Sequence, residues 1–525
     1  MLILVSERND QLNAIFRHNY DYIGSLCSHY QRKNLANMYI NKCSQSSLIV
    51  TLTCLLMLQN GCSSLIHPSL KQEIPTQWRN ATPNITSADA AENKPQKLWW
   101  LSLNDAILNE TVELALKQNL SLAQANERLT AANAIEKAKA ANHYPQISFT
   151  AGPDNLARPL PESVVGEKGS LRTSGAYLSG FDLIWEIPVF GRAEAQRKIA
   201  QANIKIAETD ISAAKISIST EVVSTFGELR AAHDRLNGYA LMIEKYALIE
   251  SLAAQGQKVG LLANSDQETA QRAMQEVQDA QLIANTQKES ALQRLDVLCG
   301  VATPQKNWLA LENTPWTLTH NLNLSPSIPA KLIQQRTDVQ HAEAAVLLAA
   351  GEAGIARADL YPKLSIEGAL MVAGNLFGAA NTQGIYLLAP SVRIPILDWG
   401  LARQVVNARD AKLREAVFAY RETVLLAIEE VENALASFNV ANQRLTRSEK
   451  LMEVSRDKPN KIQTAFKAGF LSRPELLKLE IKSQEQILQL ADAKAAWLVA
   501  FSQVNKTLSA MDTELSEHST STHEN

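Results

Sequence analysis

The spacing of apolar residues along the chain changes twice in each half. From Asn104 to His143, Ala115, Leu122 and Leu129 recur every seventh residue, and Ala125 and Ala132 fill the intervening positions of the heptad. A narrow seam of small and aliphatic residues at that spacing predicts a helix packed in coiled-coil fashion. Tyr144-Pro145 ends it, because the residue before Pro is pushed out of helical geometry. The period then falls to two: Ile147, Phe149 and Ala151 alternate with Ser148 and Thr150. The Gly- and Pro-rich stretch from Gly152 to Ser170 reads as a loop. A second alternating run follows, with Tyr177, Phe181, Leu183 and Trp185 on one face and Gly180, Asp182 and Glu186 on the other. One apolar and one polar face is the pattern of a strand in a membrane β-barrel.

Helical periodicity then returns. Arg192 to about Lys258 contains no Pro, and an unbroken helix of that span is roughly 100 Å long. After a turn at Gly260, a helix from about Asp266 to Leu298 is predicted to run back antiparallel.

The same order of elements recurs. Tyr144-Pro145-Gln146-Ile147-Ser148 returns as Tyr361-Pro362-Lys363-Leu364-Ser365, Ile187-Pro188-Val189 as Ile394-Pro395-Ile396, Glu221-Val222 as Glu430-Val431, and Lys258-Val259-Gly260 as Lys467-Ala468-Gly469. The landmarks keep their order, displaced by roughly 210 residues, which marks a tandem repeat. In the second half Leu364 and Ile366 alternate with Ser365 and Glu367, and Val392 and Ile394 with Ser391 and Arg393. The long helix carries Leu413, Val417, Tyr420, Val424, Ala427, Val431, Ala434 and Phe438 at heptad spacing. A return helix from Pro474 to Leu508 follows Gly469. The expected divisions are 1–61 for an upstream extension and signal peptide, 62–102 for an N-terminal segment, 103–300 for the first repeat, 301–329 for a Pro/Asn-rich connector, 330–510 for the second repeat and 511–525 for a tail.

Four strands cannot close a barrel, and an open edge in lipid leaves backbone groups unpaired. Strands must therefore be pooled between chains. Two chains would supply eight, which side chains fill; three would supply twelve, which leave a lumen.

Composition narrows the function. Of 525 residues, 46% are apolar and 20% charged, which argues for an ordered chain, and a net charge of −3 without a basic block argues against nucleic acid. No phosphate-binding loop, zinc motif or nucleophile elbow occurs. His143, His233 and His341 stand apart from any triad or ligand spacing, so no cofactor is expected and an envelope enzyme is disfavoured. Cys27, Cys43, Cys54 and Cys62 lie near the N-terminus, with only Cys299 beyond them. The apolar run Leu48 to Leu58, behind Lys42, is too short to span a bilayer and suits a signal peptide. Gln59-Asn60-Gly61-Cys62 resembles a bacterial lipobox with Gln59 where Leu is usual, which makes Cys62 the candidate lipidation site. Met38 is a natural alternative start.

Trp185-Glu186-Ile187-Pro188-Val189-Phe190-Gly191-Arg192 resembles the Trp-Glu-x-Asp-x-Phe-Gly-Arg motif of TolC-like outer membrane factors, with Pro188 in place of Asp. Ile394 to Gly400 is similar to its second-half counterpart. Gln335-Arg336-Thr337-Asp338-Val339 with Ala342-Glu343 resembles the family's Arg-Pro-Asp-x-x-x-Ala-Glu segment, with Thr337 for Pro. The resemblance covers about 97 to 510 and is to the lipoprotein branch of tripartite efflux systems. It implies a mainly α fold with a small membrane β part: a long α-helical coiled-coil barrel, plus four strands per chain contributing to a trimeric twelve-stranded β-barrel. It also implies a homotrimer in outer-membrane lipid that reaches into the periplasm and docks to a periplasmic adaptor and an inner-membrane pump. The same fold serves type I secretion, and a periplasmic coiled-coil adaptor or scaffold is a further alternative.

In such proteins the closing residues lie shortly after the Gly that begins the last helix of each half. Counted from Gly469 these are Glu475 and Lys478; from Gly260, Asp266 and Thr269. Glu475, Lys478 and Asp266 are the gate candidates, with solvated charges of a helix's first turn as the plain alternative. The hairpin tips, with Gly260 and Leu261 in one half and Gly469 and Phe470 in the other, are candidate adaptor contacts.

Overall fold

The computed structural model describes residues 70, 72–80, 98–154, 176–260, 264–314, 316–318, 329–375 and 383–508. The signal-peptide run, Cys62, Leu261 and the tail 511–525 lie outside them.

The first repeat contains α1 (Ala106–Gln118), α2 (Leu120–Ala141), strands β1 (Gln146–Asp154) and β2 (Ala176–Ile187), and helices α3 (Arg192–Lys258) and α4 (Asn264–Cys299). The second contains α5 (Pro329–Gln335), α6 (Thr337–Ala358), β3 (Lys363–Asn375) and β4 (Gln383–Arg393), then α7 (Leu401–Ser455), α8 (Lys458–Lys467) and α9 (Arg473–Leu508). The helices that match are equal in length: α2 and α6 have 22 residues each, α4 and α9 have 36 each.

Three expectations change. The helix read from Asn104 to His143 is two helices. Asn119 has extended backbone (φ −61°, ψ 124°), and its side-chain Oδ1 accepts from the N–H of Ser121 and Leu122. It closes α1 and caps α2, so the apolar seam continues across a break that periodicity does not register. Strand β1 extends to Asp154, past the expected loop start at Gly152. In the second half the descending helix is also divided, between Ser455 and Lys458, with Pro459 in the first turn of α8. Pro is tolerated there because its missing N–H would have no helical partner.

The strands form one antiparallel sheet in the order β1-β2-β3-β4. The two hairpins therefore pair through β2 and β3, from Ala176 opposite Asn375 to Ile187 opposite Leu364. The main core lies where the helices of both repeats meet. It joins Val112 of α1, Phe226 of α3, Leu295 of α4, Val431 of α7 and Trp497 of α9. Trp497 stacks on Phe501 at 4.9 Å, and Trp99 meets Phe501 edge-on at 5.7 Å. The heptad residues Leu413, Val417, Val424, Ala427, Val431, Ala434 and Phe438 are all buried, with Tyr420 packed beside them. Among the described residues no helix is long and apolar enough to cross a membrane.

Candidate functional site

Residues opposite one another in a sheet share a face, so register sorts the side chains. Ile147 and Phe149 of β1 face Leu183 and Phe181 of β2. Phe181 and Leu183 face Leu370 and Gly368 of β3, which face Tyr386 and Leu388 of β4. Ile147, Phe149, Phe181, Leu370, Tyr386, Leu388 and Val392 are all large, apolar or aromatic and exposed. A water-soluble protein would cover such a surface. The opposite face carries Ser148, Thr150, Asp182, Glu186, Ser365, Glu367 and Ser391 in register. There Thr150 donates to Asp182 at 2.9 Å, and the Ser365 and Ser391 hydroxyls lie 2.7 Å apart. Exposed Ile184 and Leu387 share that face, so it is mixed rather than wholly polar.

Each half leaves its sheet through the same turn. Phe190-Gly191 and Trp399-Gly400 are consecutive residues with left-handed backbone, with φ of 54° and 79° in the first half and 56° and 85° in the second. Gly meets that requirement without strain, which accounts for both glycines of the family-like motifs. The turns are stabilised differently. Asp398 accepts from the N–H of Gly400 and of Ala402, both at 2.9 Å, and these bonds hold its carboxyl below the usual range. In the first half Arg192 reaches across to Asp359 at 2.6 Å. Burial pushes the Asp359 carboxyl up, but hydrogen bonds from Lys363 and Arg192 outweigh it and hold the group below its ordinary value.

At the far end of the long helices the two tips lie together. Met242 and Ile249 of α3, Ala270 of α4, and Leu477 and Ile481 of α9 form one apolar cluster. Asp266 is exposed in the first turn of α4, and Glu475 and Lys478 are exposed at the start of α9. Glu475 is engaged: its Oε2 accepts from the Ser472 N–H at 2.8 Å and the Ser472 hydroxyl at 2.7 Å, while the Ser472 hydroxyl caps the Glu475 N–H. This is a capping box, and Ser472-x-x-Glu475 is its sequence signature. The Ser472 bonds, with Lys478 adding to them, hold the Glu475 carboxyl below its usual range. Gly260 and Gly469 are left-handed tip residues (φ 73° and 78°), and Phe470 is exposed. Phe470 borders a groove of about 490 Å³ lined also by Asp457, Asn460, Lys461 and Thr464.

Among the described residues no group of His, Cys, Asp and Glu could hold a metal ion. Cys299 is buried, its thiol donates toward the Thr111 carbonyl, and burial pushes it up to about 12. Such a thiol is inert rather than nucleophilic.

The model of the family described as outer membrane efflux protein matches residues 111–301 and 328–510. The chain belongs to the outer membrane efflux protein family. The pyoverdine export outer membrane protein OpmQ of Pseudomonas putida is 24% identical over 83% of this chain and 90% of its own length. The outer membrane protein OprJ of Pseudomonas aeruginosa is 27% identical over 76% and 83%. The solved outer membrane channel CmeC of Campylobacter jejuni superposes with a TM-score of 0.70 at 19% identity, over 84% of this chain and 93% of that one. This efflux protein is thus an outer-membrane export channel with the TolC-like fold, extending into the periplasm. Its family is one of ducts rather than of enzymes.

Proposed function

We propose that three copies of this chain close into a twelve-stranded barrel and form the outer-membrane duct of a tripartite small-molecule efflux system. One observation carries the reading: a four-stranded sheet with an exposed apolar face ends in two outer strands, β1 and β4, that have no partner strand within the described chain. Lipid cannot hydrogen-bond those edges, and three chains satisfy them while leaving a lumen. A periplasmic adaptor meets the tips around Gly260, Leu261, Gly469 and Phe470, and an inner-membrane pump supplies the energy. OpmQ is named for pyoverdine export, which favours small-molecule efflux over type I secretion. Cys62 carries the lipid anchor.

The duct is held shut at the tips, where Asp266, Glu475 and Lys478 pair between chains. Glu475 also serves the Ser472 cap through Oε2, and Lys478 and Asp266 share the closure with it. The purified protein in detergent is expected to have the mass of a trimer and to conduct in planar bilayers. A monomer without conductance contradicts the proposal. Replacing Asp266 and Lys478 with Ala should raise single-channel conductance; an unchanged value removes them from the gate.

A further inference from the structure

The chain contains one complete copy of a contact that its repeat implies twice. Where β2 leaves the sheet and β3 enters it, Phe190 stacks on Tyr361, with ring centroids 5.1 Å apart and planes 14° apart. The repeat gives each ring a counterpart. Phe190 corresponds to Trp399, since both precede the left-handed Gly that starts a long helix. Tyr361 corresponds to Tyr144. Each lies three residues beyond a 22-residue helix, and each donates its backbone N–H to that helix's last carbonyl at 3.1 Å. Phe190 finds Tyr361 because β2 and β3 are neighbours. Trp399 follows β4 and Tyr144 precedes β1, which are the two outer strands. Three strand spacings, roughly 14 Å, separate them within a chain. Both rings are left open, Trp399 at 91% exposure and Tyr144 at 70%.

We infer that a second copy of this chain supplies the missing half: Trp399 of one protomer stacks on Tyr144 of the next, sealing the barrel at its junction with the helices. This rests on the trimeric reading above, in which β4 of one chain lies beside β1 of the next. That adjacency repeats the β2–β3 geometry and so brings the two rings to the same separation. Large flat rings lose little freedom in such a contact and bury much area. The within-chain junction also carries the Arg192–Asp359 ion pair. Its counterparts at the seam are Leu401 and Asn142, so that ion pair has no equivalent there and the aromatic pair stands in its place.

The test uses the full-length protein in detergent with the pair Tyr144→Cys and Trp399→Cys and a bismaleimide too short to span the roughly 14 Å between outer strands. The double variant should give covalent dimers and trimers in a denaturing gel, while each single variant stays at background. Cross-linking no greater than that of the single variants, in a sample that light scattering shows to be trimeric, overturns the seam but leaves the trimer standing. A monomeric sample overturns both. A second arm needs no cross-linker. Leu401→Arg with Asn142→Asp rebuilds the Arg192–Asp359 pair at the seam, and the trimer should then dissociate at a higher temperature than with either change alone. A double variant no better than the sum of its singles counts against the assignment.

Discussion

In the first repeat a neutral amide ties the entry of the short helix to the exit of the return helix; in the second a guanidinium makes the same tie. Asn119, immediately before α2, donates from Nδ2 to the Leu298 carbonyl at 2.8 Å. Arg336, immediately before α6, donates from Nη1 to the Thr507 carbonyl at 3.1 Å. Leu298 and Thr507 are each the penultimate residue of a 36-residue helix. Both donors are buried, at 7% and 6% exposure. The amide also caps its own helix, so one residue does two jobs without charge. The guanidinium needs Asp338 at 2.8 Å and Glu430 at 2.5 Å to be tolerated. A repeat thus preserves the place of a bond while its chemistry diverges, and the charged version recruits α7 through Glu430, whereas among the described residues the neutral one makes no such bond to a further helix.

The largest way to break the comparison lies in the descending helices. The second is divided near Pro459, while the first runs unbroken through the matching position, Glu250. Glu250→Pro removes a bond to the Tyr246 carbonyl and forces a ring against the preceding turn. It should cost about 3 kcal/mol in denaturant unfolding. A cost near zero would mean that α3 is already loose at that point.

The donors come next. Arg336→Met should cost about 2–3 kcal/mol, since it strips a buried carbonyl and two carboxylates of their partner. The figure is kept below that of a fully buried pair because Asp338 and Glu430 are partly exposed and can rehydrate. Asn119→Ala should cost about 1–2 kcal/mol, from one lost tie and one lost cap. The same denaturant series measures both. If Asn119 proves the costlier, capping outweighs charge pairing and the ranking of the two halves inverts.

The periods of two and of roughly 3.6 made the order of helices and strands readable, because they are local. The repeat made the glycines at 191 and 400 readable as one feature. The break at Asn119 was not, because the apolar seam passes through it unchanged and only the backbone angles reveal the cap. The Ser472–Glu475 box has a local signature, a Ser followed three residues later by Glu, but the sequence reading of Glu475 extends only to a gate candidate or a first-turn charge. The tie from Asn119 to Leu298 joins residues 179 apart, and no local pattern carries it. The Trp399–Tyr144 pairing was hidden for a similar reason: the landmarks equate the residues, but only the β2–β3 adjacency says which half meets which.

The smallest expected effect sharpens the contrast between the charged junction inside the chain and its uncharged counterpart. Asp359 is held below its ordinary value in the folded protein by Lys363 and Arg192, against the effect of burial. Folding therefore favours its ionised form. The stabilisation is complete above the unfolded carboxyl value of about 3.9 and is lost as pH falls through the lower folded value. Asp359→Asn places at this junction the residue type that Asn142 already provides at the corresponding helix end. The variant should be less heat-stable than the parent at neutral pH, and its stability should lack the acid-limb slope that Asp359 contributes below about pH 4. The two melting curves should therefore converge as the pH drops. Parallel curves down to pH 3 would show that Asp359 is not the group responsible, and that the Arg192 contact is a surface pair worth little in either protonation state.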